Sequence, residues 1–247
     1  MRGNLSRFYS SSFTTARHDV DGTDFKSAES LSSALDGCHI GLGVSPWREG
    51  TSQVFEVQTC WMAPGRSEWV LTGYWSSVMT ECFEAVVAFV QEYSQEIKEQ
   101  LGIGDEAAES HSWDLRRKGH DLHVHLLNRR EGVAHTMYMA AMVVSLVSLF
   151  IEQRPRADTA VLGEVAFNGV LSAPEVYIMG LVSQCRRQGI RRLVTATDFD
   201  MPAAVQIEAS HLEEDGQPAL TIVYCENVLD ALPSVFSSSQ ANVADSN

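Results

Sequence analysis

The sequence predicts an α+β fold built as one domain, in which strands and hairpins pack with helices. Two patterns predict this class: apolar residues alternate at period two in several short segments, and they recur at three- and four-residue steps in longer ones. The chain has 247 residues, of which 45% are hydrophobic and 20% charged. These proportions are typical of a single soluble domain with tails.

The two ends of the chain differ in composition from the middle. Residues 1–18 contain three Arg, six Ser or Thr and no acidic residue. This composition is typical of a transit segment for import into an organelle, and it equally fits a Ser-rich disordered terminus. We therefore expect a disordered or transit-like segment over residues 1–37, a folded domain over 38–237 and a disordered tail over 238–247.

The first folded elements are a strand pair and a long helix. Residues 54–61 alternate, and a Pro64-Gly65 turn leads into the apolar residues of 68–72, which predicts a hairpin. Apolar residues at helical spacing then predict a helix over 79–101, with Ser76 or Ser77 as its cap. A polar loop over 102–120 follows.

The central elements are a strand, a buried helix and a second hairpin. Residues 121–127 alternate and predict a strand, and the apolar run over 136–151 predicts a core helix. Asn168-Gly169 between apolar segments predicts a hairpin over 160–171 with a two-residue turn and positive φ at both turn positions. The remaining predicted elements are a helix from Pro174 to Gly189, a strand over 191–195, a helix over 202–210, a strand over 220–224 and a helix over 228–236.

Charge and cysteine usage exclude several functions. A net charge of −14 repels nucleic acid and anionic lipid, so we expect no nucleic-acid partner. The longest apolar run has about fifteen residues, whereas a membrane span needs roughly twenty, so we expect no membrane span. The five Cys are widely spaced and form no C-x-x-C motif, which favours buried free thiols in a reducing compartment. We expect no zinc or other metal, and no cofactor.

Lysine is scarce in this chain. Of the 18 Lys and Arg residues only Lys26, Lys98 and Lys118 are lysines. Any mechanism that needs a lysine in the second half of the chain is therefore excluded. The chain contains no Gly-Lys dipeptide either, which excludes the phosphate-binding loop of the Walker type.

Four motifs occur in order over about two hundred residues. They are LTGYWSSVMTECFEA at 71–85, DLHVH at 121–125, RAD at 156–158 with GEV at 163–165 and an Asn-Gly turn, and RQGIRRLV at 187–194. Together they resemble the proteolytic domain of Lon-type ATP-dependent proteases. The resemblance implies the Lon proteolytic-domain fold and membership of a serine peptidase family.

The family's catalytic dyad is missing from the matching positions. The resemblance places the family's serine nucleophile at Ala134 and its lysine base at Met179, or at Ile178 without a one-residue gap. Alanine has no nucleophilic atom, and neither Met nor Ile can act as a base. The threonine of the family's T-G-E motif is also replaced, by Leu162. We therefore expect a catalytically inactive homologue that acts as an interaction or regulatory module.

A rebuilt site is the alternative. His135 and Thr136 follow Ala134 directly, and His123 and His125 lie on one face of the preceding strand. A threonine with a histidine base could give an ATP-independent peptidase, although a shift of two helical positions turns a side chain about 200° away from the original site. The histidines could also bind a metal, but the family's own H-x-H strand favours a framework role.

Two acidic residues near these histidines are expected to serve as their hydrogen-bond partners. We expect Asp121 or Glu164 to hydrogen-bond to His123, His125 or His135. Glu164 is kept among the candidate remnant residues because it belongs to the GEV motif. Ser145, Ser148 and Cys185 are expected to be core positions without a catalytic role.

The resemblance also implies partners. Family domains pack in rings, so the chain is expected to bind protein or peptide, either as a homo-oligomer or by co-assembly with an active Lon subunit. Neither a phosphate loop nor space for an AAA+ motor occurs in residues 1–37. The expected location is the mitochondrial matrix or another organelle, with the cytoplasm as the alternative.

A third interpretation keeps the fold but changes the function. The Lon-like C-terminal domain of RadA-type repair ATPases lacks the dyad, and its GEVGLSG run is similar to GEVAFNG at 163–169. The match over 71–85 favours Lon proper, and the acidic charge disfavours a DNA-binding function.

Overall fold

One large sheet organises the helices of this protein. The computed structural model describes residues 37–46, 52–73, 75–104, 113, 116–127, 135–173, 180–212, 216 and 218–236. Their strands are β1 (His39–Pro46), β2 (Ser52–Met62), β3 (Trp69–Gly73), β4 (Asp121–Leu127), β5 (Thr159–Leu162), β6 (Glu164–Val165), β7 (Leu171–Ser172), β8 (Arg192–Ala196) and β9 (Thr221–Cys225). Their α-helices are α1 (Ser77–Glu92), α2 (Ser94–Leu101), α3 (Met139–Ile151), α4 (Leu181–Arg187), α5 (Ala203–Ser210) and α6 (Val228–Val235).

Seven strands form the main sheet in the order β3-β4-β2-β1-β5-β8-β9. β2 is antiparallel to both of its neighbours, and the other four neighbouring pairs are parallel. β6 and β7 form a separate two-stranded sheet. Antiparallel and helix-linked parallel pairs thus coexist, which confirms the predicted α+β class.

Helix α3 lies at the centre of the core. Every residue from Met139 to Phe150 is buried, which confirms the predicted core helix. Its first turn differs from the prediction, because residues 135–138 form a 3-10 helix (His135–Tyr138) before the α-helix begins. Within the described residues, no helix is long and apolar enough to cross a membrane.

The backbone of α3 approaches β1 closely at Gly41. A Cβ atom added there would overlap the carbonyl oxygen of Ala141. One turn further along, the Ser145 hydroxyl donates to Thr59 Oγ1 at 2.8 Å, and Thr59 Oγ1 donates to the Ser145 carbonyl at 3.0 Å. Since Ser145 and Thr59 are fully buried, these bonds satisfy groups that have no access to water.

A histidine joins the end of α3 to the start of β1. The Ser148 hydroxyl donates to the Gln153 carbonyl at 2.7 Å, and it lies 2.8 Å from His39 Nδ1. Because the single hydroxyl proton of Ser148 is used on Gln153, His39 Nδ1 must carry a proton and donate to Ser148. Burial, followed by the positive charge of Arg154, lowers the pKa of His39 from its ordinary value of 6.5. The neutral ring therefore occupies this position.

The predicted helix over 79–101 is two helices. The Ser76 hydroxyl accepts from the backbone N–H of Met79 at 3.2 Å, which confirms one of the two expected caps of α1. The helix breaks at Tyr93, which stacks on Phe89 with ring centroids 4.9 Å apart. Apolar spacing continues through the break, so periodicity alone did not indicate it.

The predicted hairpin of β2 with β3 is wrong. β4 lies between these strands, antiparallel to β2 and parallel to β3. The segment that joins β2 to β3 crosses the beginning of β4, where the Asp121 carboxylate accepts the backbone N–H groups of Arg66 at 2.6 Å and Glu68 at 3.0 Å. The Pro64-Gly65 turn indicated a reversal of the chain correctly, but a local turn does not determine which strand becomes the neighbour.

The second hairpin is shorter than predicted. β5 joins the main sheet, and only β6 and β7 pair across the Asn168-Gly169 turn. The Gly169 N–H donates to the Ala166 carbonyl at 2.8 Å, and of the two turn residues only Gly169 has a positive φ, at 80°. The connection is therefore a three-residue loop with glycine at its left-handed position, not the predicted two-residue turn.

The last predicted elements are confirmed within one residue at each end. They correspond to β8, α5, β9 and α6. Strand β1 was not indicated by the sequence pattern. The predicted helix from Pro174 is wrong at Gly180, which has a left-handed conformation, and α4 begins only at Leu181. Residues 174–179 lie outside the described residues.

The close contact at Gly41 gives a stability test. Gly41→Ala should destabilise the protein by about 2–4 kcal/mol, because the added methyl group meets fixed backbone in a packed core. Gly104→Ala is the matched control, since a Cβ atom there meets nothing within 4 Å. Urea unfolding of both variants measures the effect. Equal midpoints for the two would contradict the described packing of α3 on β1.

Candidate functional site

Ala134 and Met179, the two positions expected to correspond to the family's dyad, lie outside the described residues. The structure therefore defines the site by its surroundings. His135 begins the 3-10 helix, although its side chain also lies outside the described residues, and Thr136 is half-buried. Glu164 is exposed at the start of β6.

The 3-10 helix is anchored by an aromatic contact. The Tyr138 ring lies 4.1 Å from the Phe55 ring of β2, measured between centroids. Burial raises the pKa of Tyr138 to about 12, so the phenol stays neutral at physiological pH. At the next turn, the Ala140 N–H donates to the Gly163 carbonyl at 3.4 Å. These contacts connect the start of α3 to β2 and to the residue before Glu164.

Glu164 lies close to helix α1. The pKa of the Cys82 thiol on α1 is raised first by burial and then by the negative charges of Glu164 and Glu81. The Glu164 carboxylate is therefore within electrostatic range of Cys82. Glu164 thus brings one negative charge to the surroundings of the 3-10 helix.

His123 and His125 meet at a residue that the sequence did not indicate. The Thr72 hydroxyl oxygen of β3 lies 2.7 Å from His123 Nε2 and 2.8 Å from His125 Nδ1. His123 Nδ1 lies 3.1 Å from the Met62 sulfur. We call these four residues the Thr72 cluster. All four side chains project from the face of the sheet opposite the buried Leu122, because their positions alternate with the core residues.

The donors and acceptors in the Thr72 cluster have one consistent order. A thioether sulfur can only accept, so the neutral His123 ring carries its proton on Nδ1 and donates to Met62. His123 Nε2 then accepts from the Thr72 hydroxyl, and His125 Nδ1 donates to the Thr72 oxygen. Burial, followed by the nearby His125, lowers the pKa of His123, which favours this neutral form.

The Thr72 cluster has part of the geometry of a nucleophile and its base. Thr72 Oγ1 and His123 Nε2 lie within the distance that hydroxyl nucleophiles and imidazole bases use. In hydrolases of that type a carboxylate stabilises the second ring nitrogen, whereas here that nitrogen contacts a sulfur. His125 also occupies a lone pair of the Thr72 oxygen. The arrangement therefore suits the joining of β3 to β4 rather than proton transfer.

The expected acidic partner of these histidines is different in the structure. Asp121 binds the backbone of the β2–β3 connection, and those hydrogen bonds to Glu68 and Arg66 lower the pKa of its carboxyl group. The hydrogen bonds of His123 and His125 go to the Thr72 cluster instead. Sequence reasoning missed Thr72 and Met62 because the pairing of β3 with β4 was not predicted. The T-G dipeptide of the first motif was the available signal.

The polar residues around these strands are not arranged as a metal site in the described part of the chain. Across the residues with a described placement, no group of three or more His, Cys, Asp or Glu side chains is arranged to hold a metal ion. Ser145, Ser148 and Cys185 are buried as expected, and the first two have the packing contacts described above.

Comparison with known proteins identifies relatives of the whole described fold. The model of the Lon protease (S16) C-terminal proteolytic domain matches residues 20–237. Lon protease of Methylocella silvestris is 28% identical over 182 residues, covering 74% of this chain and 20% of that protein. The peroxisomal Lon protease homolog 2 of Arabidopsis thaliana is 28% identical over 187 residues, covering 74% of this chain and 19% of that protein.

A third relative matches a shorter stretch at higher identity. Lon protease of Xanthomonas oryzae pv. oryzae is 31% identical over 127 residues, covering 51% of this chain and 13% of that protein. This chain therefore spans about a fifth or less of the length of the curated relatives named here.

The hydrogen bonds of Thr72 give a second stability test. Thr72→Val keeps the shape of the side chain but leaves both imidazoles without their partner, so we expect a loss of about 1–3 kcal/mol. Thr72→Ser retains the hydroxyl and is the control. Chemical unfolding monitored by tryptophan fluorescence provides the measurement. If Val and Ser variants were equally stable, the hydrogen bonds would contribute nothing and the description of the cluster would be wrong.

The two histidines with lowered pKa values predict acid sensitivity. His39 and His123 are held neutral in the folded protein, whereas both titrate at their ordinary value of 6.5 in the unfolded chain. As the pH falls through 6.5, the unfolded state therefore binds more protons than the folded state. The stability that the two neutral histidines contribute is complete above this pH and is lost as the pH falls toward their lower pKa values in the folded protein.

Unfolding free energies of the wild type and of the double variant His39→Asn, His123→Gln, measured between about pH 7.5 and 5.5, test this dependence. Both replacements are neutral at every pH in this range. The wild type should lose more stability on acidification than the double variant. Parallel pH profiles for the two proteins would refute the assignment of neutral histidines.

Proposed function

This chain belongs to the family of Lon protease C-terminal proteolytic domains, and from that premise we propose that it is a catalytically inactive member that acts as an interaction or regulatory module. The observation that carries the proposal is Ala134 at the position of the family's serine nucleophile. A methyl group cannot form the acyl intermediate on which this type of peptidase depends.

The second half of the dyad is missing as well. Met179 or Ile178 stands where the family has its lysine, and neither side chain can accept a proton from a hydroxyl group. The two lysines that lie among the described residues, Lys98 and Lys118, are poorly placed to substitute. Lys98 lies on α2 with its ammonium group 5.9 Å from the Trp113 ring centroid.

Lys118 lies at the wrong end of strand β4. It precedes Asp121, whereas the nucleophile position follows Leu127 at the other end of the strand. Seven residues of extended chain span about 20 Å, which is far beyond the reach of a lysine side chain to a neighbouring hydroxyl. A rearranged lysine base is therefore disfavoured by the order of the elements.

The described residues around the site are well packed, and this packing supports a folded domain whose reactive atoms we propose to be missing. The 3-10 helix packs on Phe55 through Tyr138, and the start of α3 is bonded to Gly163. Neither contact involves a dyad position. A fold kept in this state suits binding rather than turnover, so we propose a protein or peptide partner, in a homo-oligomeric ring or by co-assembly with an active Lon subunit.

A rewired peptidase is the competing function. It would use Thr136 as nucleophile, because this half-buried residue lies next to the lost serine position. His123 and His125 are engaged with Thr72, so the base would have to be His135. Such an enzyme would hydrolyse peptides without a lysine and without ATP.

The location of the protein is part of the same proposal. The Arg- and Ser-rich composition of residues 1–18 supports import into the mitochondrial matrix or another organelle, with the cytoplasm as the alternative. The printed name of the Arabidopsis relative places that protein in the peroxisome, which supports an organelle in general.

Restoration of the dyad tests the proposal. The double variant Ala134→Ser, Met179→Lys should cleave unfolded casein roughly 10²-fold faster than either single variant, because a serine and its base act as a unit. The unmodified chain should show no cleavage above the buffer. Fluorescence of labelled casein measures turnover, and circular dichroism verifies that each variant is folded.

Thr136→Ala separates the two functions. Under the proposed inactive state it changes nothing, because the unmodified chain has no activity to lose. Casein cleavage by the unmodified chain that persists through repeated purification and disappears in Thr136→Ala would instead establish the rewired peptidase.

A further inference from the structure

Two cysteines face each other at the open end of the β1–β2 pair. The antiparallel register places His39 opposite Thr59. Cys38 precedes His39 and Cys60 follows Thr59, so the same register places Cys38 opposite Cys60. Directly opposed residues of antiparallel strands project to the same face of the sheet. The two thiols therefore point to the same side.

The spacing of such a pair fits a disulfide. Opposed residues of antiparallel strands have Cα atoms about 4.5–5.5 Å apart, and disulfides join Cα atoms about 4.4–6.8 Å apart. An independent sign of proximity comes from ionisation. Burial raises the pKa of Cys38 to about 11, and the next contribution in size is the charge of Cys60, ahead of Glu56.

Accessibility distinguishes this pair from the other thiols. Cys38 and Cys60 are half-exposed, whereas the remaining three cysteines, Cys82, Cys185 and Cys225, are buried. Burial of a thiol hinders the approach of an oxidant. The pair at the strand end is therefore the accessible site in this chain.

We propose that Cys38 and Cys60 form a reversible cross-strand disulfide by exchange with small disulfides such as glutathione disulfide. The Cys60 thiolate attacks one sulfur of the small disulfide, which forms a mixed disulfide and releases one thiolate. The Cys38 thiolate then attacks the Cys60 sulfur and releases the second thiolate. The two cysteines lose two electrons, the small disulfide gains them, and the two cysteine protons end on the two released thiols.

A disulfide between Cys38 and Cys60 would lie at the start of β1, beside β2. Cys38 directly precedes β1, so the bond would fix the start of β1 to β2. Across β4, Cys60 is also paired in register with His123 of the Thr72 cluster. Because both cysteines are partly exposed, small thiols can reach the bond, which favours exchange over a permanent link. The site is independent of peptide hydrolysis.

The test uses the full 247-residue chain, first reduced and then incubated with excess glutathione disulfide. Peptide mapping by mass spectrometry, after blocking of free thiols, should identify a peptide pair linked through Cys38 and Cys60. The intact mass should fall by the mass of two hydrogens. Cys60→Ser should give no linked pair, Cys38→Ser should retain a mixed disulfide at Cys60, and the control Cys225→Ala should behave as the wild type.

Thermal unfolding gives the second readout. The bond closes a chain segment of about twenty residues, so the oxidised wild type should unfold about 5 °C higher than the reduced protein, and dithiothreitol should reverse the shift. The Cys60→Ser variant should show no such shift. The proposal is overturned if the wild type yields only mixed disulfides or free thiols at both cysteines, or if the linked form unfolds at the same temperature as the reduced form.

Discussion

The structure depends on the close approach of α3 to β1. At Gly41 the sheet has no side chain between its backbone and the helix, and one turn later the contact is continued by buried hydroxyl groups on Ser145 and Thr59. Because a wholly buried helix has no solvent-facing side to guide its placement, this backbone contact and these hydrogen bonds determine its rotation and depth. The start of α3 and the 3-10 helix before it follow from that placement.

The residues that hold the 3-10 helix in place differ from those at the expected dyad positions. The contacts that hold the 3-10 helix come from Tyr138, Phe55 and the Gly163 carbonyl, and none of them uses a reactive group. A nucleophile and a base at positions 134 and 179 would be additions to a framework that is already stable. The proposed absence of both is therefore compatible with a well-packed domain, because the fold does not depend on the site's reactive groups.

Local patterns of the sequence predicted most elements because periodicity reports which residues are buried. The alternation around Val124 and the apolar run that becomes α3 are such cases. The neighbours in the sheet were harder to predict, since the pairing of β3 with β4 joins segments that are far apart in the chain. The histidine pair was found at the sequence level, but Thr72 between them follows only from that pairing. The break between α1 and α2 at Tyr93 was likewise not predicted, because the apolar residues keep helical spacing across it.

The crossing of the β2–β3 connection over β4 has a consequence for the order of folding. Among the described strands, β3 has one neighbour in the sheet, β4, which is made about fifty residues later during synthesis. In a growing chain that ends soon after Gly73, the backbone N–H and C=O groups of β3 therefore lack the partners that β4 provides. Asp121, whose carboxylate accepts backbone hydrogen bonds from the β2–β3 connection, is also the first residue of β4. The pairing of β3 and the hydrogen bonds that hold the β2–β3 connection therefore both require β4.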